Sequence, residues 1–156
     1  MKKWSHEITI SAPIEGVWSL FDYSQDQTKK IIPKLISIEP VEQTEELVGS
    51  VYRQVFRQRG VVQEHFIKIL DYKDTPDYKL LKTNFEIAGM INVTTTYEVK
   101  RLSKNKTSFK TEIINEPLRL DMKLMLFFAG KKPAVDFCKQ VQLAAEADYQ
   151  INLNEL

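Results

Sequence analysis

Among 156 residues only two histidines, His6 and His65, and one cysteine, Cys138, carry side chains that titrate close to neutral pH. His65 is the sharpest candidate for proton transfer, because an imidazole is already poised near neutrality and a low-dielectric pocket shifts it further. Tyr97 is the second candidate, as a phenolic acid or base. Neither comes with a recognisable nucleophile or an orienting carboxylate on its face of a strand, and triad-like catalysis requires mutually positioned partners. Both therefore read first as ligand-orienting or structural groups, and no residue is assigned as catalytic. Cys138 falls on the apolar stripe of a helical segment, where a thiol behaves as a small hydrophobe. Two histidines and one cysteine without paired spacing give no zinc site. Five glycines scattered singly give no phosphate-binding loop. Neither a metal nor a cofactor is implied.

Parity assigns the neighbours of these residues to faces, since successive side chains on a strand alternate sides and charges mark the solvent side. Between residues 50 and 59, Arg53, Arg57 and Arg59 share one parity, which turns Tyr52, Gln54 and Phe56 inward. Between 61 and 72, Glu64 and Lys68 mark the outside and leave Gln63, His65, Ile67 and Ile69 inside. Leu81, Thr83, Phe85 and Ile87 oppose Lys82 and Glu86 in the same way. Ile91, Val93, Thr95, Tyr97 and Val99 oppose Glu98 and Lys100, and Phe109, Thr111 and Ile113 oppose Lys110 and Glu112. The inner face is expected to be apolar with a few polar groups, the composition of a small-molecule pocket. Those polar groups equally suit pairing with one another or with buried water. The candidate ligand-contacting set is Tyr52, Gln54, Phe56, Gln63, His65, Thr83, Phe85, Thr95, Tyr97 and Thr111, joined by Phe137 and Val141 from the last helix.

The elements that must position these residues follow from periodicity. Trp4 to Ile10 alternates as a half-buried strand. Ser11 is placed to cap a helix in which Ile14, Val17, Trp18 and Phe21 recur at helical spacing, and a second short helix spans Ser24 to Ile32 before Pro33. Six strand patterns then follow: 35–42, 50–59, 61–72, 78–87, 91–102 and 107–115. The breaks between them are turn chemistry at Gly49, Gly60, Pro76, Gly89 and Asn105. Short connections make neighbours antiparallel, giving a meander of about seven strands. Beyond Pro117, Leu120, Leu124, Phe127 and Phe128 fall at i, i+4, i+7 and i+8. After Gly130, Pro133 to Gln150 forms a longer helix with Ala134, Phe137, Cys138, Val141 and Ala145 on one stripe. A long helix after a large antiparallel sheet needs a surface to lie on. A curved sheet wrapped around it leaves a cavity between the two.

Bulk composition bounds the rest. The length suits a single domain over residues 1–156, and 43% hydrophobic with 28% charged residues is ordinary folded usage. A formal net charge of +1 gives no electrostatic case for nucleic acid. Ser5, His6, Glu7 and Thr9 interrupt any apolar leader, and one cysteine forms no internal disulfide, so a cytoplasmic setting is expected. Oligomeric state is not encoded in these patterns. The apolar run Met122 to Ala129 is far below the ~20 residues of a membrane span. With Arg119, Lys123, Lys131 and Lys132 around it, the 118–128 segment reads as a mobile lid over the pocket mouth in preference to a membrane contact.

In order and in local sequence the chain resembles the START-like helix-grip superfamily, which includes birch-pollen-allergen-like proteins and bacterial polyketide cyclase/dehydrase and lipid-transport domains. "ITISAPIEGVWSLFDY" is similar to that group's strand, Ala-Pro and helix entry, "LVGSVYRQVFRQRG" to its glycine-led third strand, and the strand before "NEP" to its late strand. The resemblance covers nearly the whole chain. It implies an α+β fold with a curved sheet of about seven strands around a long C-terminal helix, two short helices after the first strand, and a cavity for lipids, polyketides or similar molecules. No gate-loop motif of the plant hormone receptors is present. Three functions are compatible with this reading: a binding or carrier protein for a hydrophobic small molecule, a polyketide cyclase or dehydratase using His65 or Tyr97, and a chaperone-activating or other interaction module. The absence of a catalytic set favours the first.

Overall fold

The computed structural model describes residues 1–155. The chain runs β1 (Lys2–Ile10), α1 (Ile14–Trp18), a 3-10 turn (Ser19–Phe21), α2 (Gln25–Ile31), β2 (Leu35–Glu42), β3 (Val51–Gln58), β4 (Val61–Asp74), β5 (Tyr78–Ile87), β6 (Ile91–Ser103), β7 (Lys106–Pro117), α3 (Leu120–Phe128) and α4 (Lys132–Asn154). All seven strands form one antiparallel sheet in the order β1-β7-β6-β5-β4-β3-β2. The meander is therefore continuous from β2 to β7, with β1 returning to pair with the last strand. That closes the order with the two short helices crossing from one end of the sheet to the other.

Alternation decides which face is concave. Along β6 Ile91, Val93, Thr95 and Val99 are buried, and along β7 Phe109 and Thr111 are buried, as their parity against Glu98, Lys100, Lys110 and Glu112 requires. On the convex face Arg53 bridges Glu39 and Glu64 across three strands at 3.1 and 2.6 Å. Bulges interrupt the ladders between Leu35 and Ser37, between Pro40 and Glu42, and between Ile69 and Asp71, and such extra residues bend and twist a sheet. The bulge around Leu70 also flips parity, so that Tyr72 turns inward and its hydroxyl accepts from Trp18 Nε1 at 3.4 Å. Between β4 and β5 the ladder runs from Asp74–Lys79 only to Lys68–Asn84. Residues 61–67 of β4 pair with β3 alone, which leaves a seam inside the sheet. Two hairpins turn through left-handed pairs, Arg59-Gly60 (φ 51° and 78°) and Ala88-Gly89 (φ 50° and 68°), the type I′ pattern that matches strand twist.

α4 is 23 residues long, about 35 Å at the helical rise, and exceeds the expected span by four residues at its C-terminal end. Its buried side is Ala134, Cys138, Val141 and Ala145. Polar ties fix its angle over the sheet: Glu146 accepts from the Ser11 amide at 2.9 Å, Gln140 Nε2 donates to the Lys30 carbonyl at 2.9 Å, and Lys30 meets Asp148 at 3.0 Å. Ser11 is thus no helix cap. Pro13 stands at the N-cap of α1, extended like the chain that leaves β1, and its carbonyl accepts from the Gly16 and Val17 amides. Ser24 does cap α2, accepting from the Gln27 amide at 3.2 Å. The main core lies between α4, α1 and the β1-β7-β6 side of the sheet, built on Ile10, Val17, Leu20, Val99, Phe109 and Val141.

Candidate functional site

Where α4 and the sheet diverge, a cavity of about 410 Å³ remains, within the range of small-molecule pockets. Three parts of the chain wall it. The concave sheet supplies Gln54, Phe56, Gln58, His65, Ile67, Thr83, Phe85, Val93, Thr95, Tyr97, Thr111 and Ile113. The α1–α2 segment supplies Leu20, Phe21, Tyr23, Thr28, Ile31 and Ile32, and α4 supplies Pro133 and Phe137. No aspartate, glutamate, lysine or arginine lines it among the described residues. An uncharged wall is inexpensive to dehydrate, so apolar contact dominates what it can hold.

His65 sits in an aromatic cradle. Its ring stacks on Phe85 with centroids 4.6 Å apart and meets the edge of Phe56 at 5.0 Å. Nε2 is buried without a hydrogen-bond partner, and burial pulls the imidazole below its ordinary value, so it stays neutral. Its register neighbour Gln54 places an amide beside it. At the other end Phe21 contacts Tyr97 at 4.9 Å, Phe109 at 5.7 Å and Phe137 at 6.5 Å, closing an aromatic floor. Burial, reinforced by Cys138, raises the Tyr97 phenol, and burial, reinforced by Tyr97 and Tyr52, raises Tyr23. Both hydroxyls therefore remain protonated donors. Cys138 donates to Thr111 Oγ1 at 3.4 Å, and burial raises its thiol against the smaller opposing effect of that bond. A buried, protonated thiol is a poor nucleophile. Thr83 and Thr95 face each other across β5 and β6, adding two hydroxyls to the middle of the wall.

Nine of the twelve residues expected to contact a ligand are brought together in this wall: Gln54, Phe56, His65, Thr83, Phe85, Thr95, Tyr97, Thr111 and Phe137. Tyr52, Gln63 and Val141 are not among them. Tyr52 is covered by Tyr23, whose ring stacks on it at 4.4 Å and takes its place at the surface of the cavity. Val141 lies where α4 comes down onto the core and leaves no space. Gln63 is half-buried on the same face, but Gln58, beside the hairpin turn, supplies the polar group lining that end. The residues of α1, the 3-10 turn and α2 went unassigned by parity. Thr28, Ile31 and Ile32 do fall at i, i+3 and i+4, but such a stripe says that a face is buried and not whether it meets core or cavity.

α3 lies beside the cavity with its apolar stripe turned to solvent. It packs through Met122 and Leu126 against Ile91, Val93 and Trp4, so the Leu120, Leu124, Phe127 and Phe128 stripe faces away from the pocket. Among the described residues no helix is long and apolar enough to cross a membrane.

No protein-family model matches the chain, and none of the curated proteins does. Solved structures do. A START superfamily protein from Mycobacterium smegmatis matches with a TM-score of 0.67 and 12% identity over 95% of this chain and 97% of its own. Norcoclaurine synthase from Thalictrum flavum, in complex with dopamine and hydroxybenzaldehyde, matches with a TM-score of 0.64 and 15% identity over 90% of this chain and 84% of its own. The di-domain ARO/CYC BexL from the BE-7585A biosynthetic pathway matches with a TM-score of 0.68 and 16% identity over 96% of this chain, which spans 46% of that longer protein. At such identities the likeness is one of architecture, and it coincides with the strand order, the curved sheet and the long terminal helix described above. The chain has the START-like helix-grip fold.

Proposed function

We propose that the chain binds or carries a hydrophobic small molecule, a lipid, a polyketide or a compound of similar character, in the cavity between sheet and α4. The observation that carries this reading is a void of about 410 Å³ with an uncharged, largely apolar and aromatic wall in which a few hydroxyl, amide and imidazole groups are set. Apolar walls supply affinity and the sparse polar groups fix orientation. Thr83, Thr95 and the Tyr97 and Tyr23 hydroxyls offer hydrogen-bonding groups to such a molecule. The test is native mass spectrometry of purified protein followed by organic extraction, alongside titration with an apolar fluorescent probe. A co-purifying mass or saturable probe binding that His65→Ala weakens supports the reading. Protein that carries nothing and does not bind the probe overturns it.

A second reading, a cyclase or dehydratase acting on a bound polyketide-like substrate, is favoured by one detail: the imidazole lines the cavity, and its buried Nε2 has no hydrogen-bond partner in the protein. Such an enzyme would use His65 as base and the Tyr97 hydroxyl as donor. Turnover of a poly-β-keto thioester that is lost in His65→Asn with binding retained would establish it, and turnover unaffected by that change would remove it.

A further inference from the structure

α3 presents its apolar side to solvent. At about 100° per residue, Leu120, Leu124, Phe127 and Phe128 fall within an arc of roughly 100° that points directly away from the Met122 and Leu126 side packed on the sheet. Their exposures are 85%, 67%, 72% and 78%. Single exposed hydrophobic residues are ordinary, but a contiguous ridge of two leucines and two phenylalanines on one short helix marks a contact surface. Leu120, Leu124 and Phe127 line a wide, shallow hollow open to solvent, with Asp121 and Lys123 at its edges, which suits a soft, extended partner and not one that fills a deep cleft.

Charge selects the partner. From Leu118 to Pro133 four cations, Arg119, Lys123, Lys131 and Lys132, accompany one carboxylate, Asp121. Arg119 neutralises Asp121, and Lys132 is held by Asp136 at 2.6 Å. Lys123 and Lys131 are exposed and make no ion pair among the described residues. Lys123 flanks the ridge on α3 itself, and Lys131 follows it just beyond Gly130. An apolar ridge bordered by free cations is the complement of an anionic bilayer surface, where chains enter the acyl boundary and ammonium groups meet the phosphates.

We propose that α3 docks the protein onto an anionic lipid bilayer, with Leu120, Leu124, Phe127 and Phe128 entering the interface and Lys123 and Lys131 meeting the headgroups. The purpose of this docking rests on the cavity reading. Leu126, on the buried side of α3, belongs to the same packed cluster as Val93, against which Phe85 and Ile113 also pack, and those three residues line the cavity. A docked α3 therefore stands as a single layer of side chains between lipid and cavity, the arrangement expected for a molecule taken from or delivered to the bilayer itself.

The test is flotation of the full chain with phosphatidylcholine vesicles and with phosphatidylcholine–phosphatidylserine vesicles. Wild-type protein should float with the anionic vesicles, and less so as salt is raised. Leu124→Asp/Phe128→Asp should lower the partition coefficient by about tenfold or more, since it places two carboxylates in the interface. Lys123→Glu/Lys131→Glu should abolish the preference for phosphatidylserine. All four positions are exposed, and unchanged thermal melts would show that the fold is retained. Wild type that floats with neither vesicle, or variants that float as wild type does, overturns the proposal. Self-association by light scattering that Leu124→Asp/Phe128→Asp abolishes, without vesicle binding, overturns it in favour of a second copy of the chain. Titration with an apolar probe in parallel separates the two readings. Probe binding without flotation removes docking and leaves the cavity; flotation without probe binding removes the cavity function and leaves docking.

Discussion

Lys79 is the largest fully buried side chain in the protein, 1% exposed at the start of β5. It shares parity with Leu81 and points inward, where it is held by Asp74 at the end of β4 and by Glu15 of α1 at 3.0 Å. Burial pulls its ammonium down, and the bonds from Asp74 and Glu15 together outweigh that pull, so it sits above its ordinary value. An uneven result is expected. Lys79→Met keeps the buried volume and leaves two solvated carboxylates, changing urea stability by less than about 1 kcal/mol, whereas Glu15→Ala/Asp74→Ala strands a buried cation at a cost of about 3 kcal/mol. Because the folded value lies above the unfolded one, the ion pair's contribution is intact below the ordinary lysine range and is lost as pH climbs through the folded value. Lys79→Met should lack that alkaline loss. His65 has the opposite sign. Its imidazole is held below the ordinary value by burial, so the unfolded chain binds the proton more readily and stability falls as pH drops below about 6.5. Urea midpoints taken from about pH 8 to about pH 5 should decline less in His65→Phe than in wild type.

At the scale of elements, the strands were the most legible part. Lys82 and Glu86 on β5, Glu98 and Lys100 on β6, and Lys110 and Glu112 on β7 share one parity on each strand, so Thr83, Thr95, Tyr97 and Thr111 fall on the concave face from parity alone. The bulge around Leu70 carries no residue signature, yet it brings Tyr72 to the inner face beside Trp18. Lys79 shows a different limit: its parity with Leu81 puts it inside while its charge would mark the outside, and only two carboxylates from other elements make it tolerable there. α3 shows a third limit. Periodicity told which of its residues share a face, but not which way that face points, since Met122 and Leu126 offer a second apolar side. Turns were legible as glycines, but the left-handed residue before the glycine was not: Arg59 and Ala88 hold φ 51° and 50° where glycine or asparagine is preferred, and Ala88 has no polar side chain to ease it. An L side chain there costs about 1 kcal/mol. Ala88→Asn should therefore raise the thermal midpoint, by an amount equivalent to about 0.5 kcal/mol, with no effect on probe binding.

For the whole molecule, the decisive property is that packing is completed on one side and withheld on the other. Around Phe109, Val99 and Val141 helix and sheet meet without space, while around His65 and Thr83 they do not. Nothing in the residue pattern distinguishes these two ends, because both are lined by apolar and threonine side chains. The ties of α4 to Ser11 and Lys30 hold it at the closed end, while the α1–α2 segment walls the open one. Filling the void should cost little in stability while removing what it holds. Val93→Phe/Thr83→Leu is expected to keep or raise the thermal midpoint and to weaken probe affinity by about tenfold or more. A variant that unfolds would instead mean that the space is smaller than about 410 Å³.

The seam between β4 and β5 bears on how quickly that space exchanges its contents. Residues 65–67 and Phe85 stand on its two sides, with the stacked rings of His65 and Phe85 as the bolt across it. No β4–β5 ladder hydrogen bond has to break for the β3–β4 tip to swing outward, so the barrier to passage is the separation of one aromatic pair, the bending of a hairpin and the release of the end bonds that tie Phe56 and Arg57 to the start of β2. Motions of that kind belong to nanoseconds to microseconds, orders of magnitude faster than partial unfolding. Residence time in the cavity would then be set by the strength of the contacts inside it and not by the opening of the door.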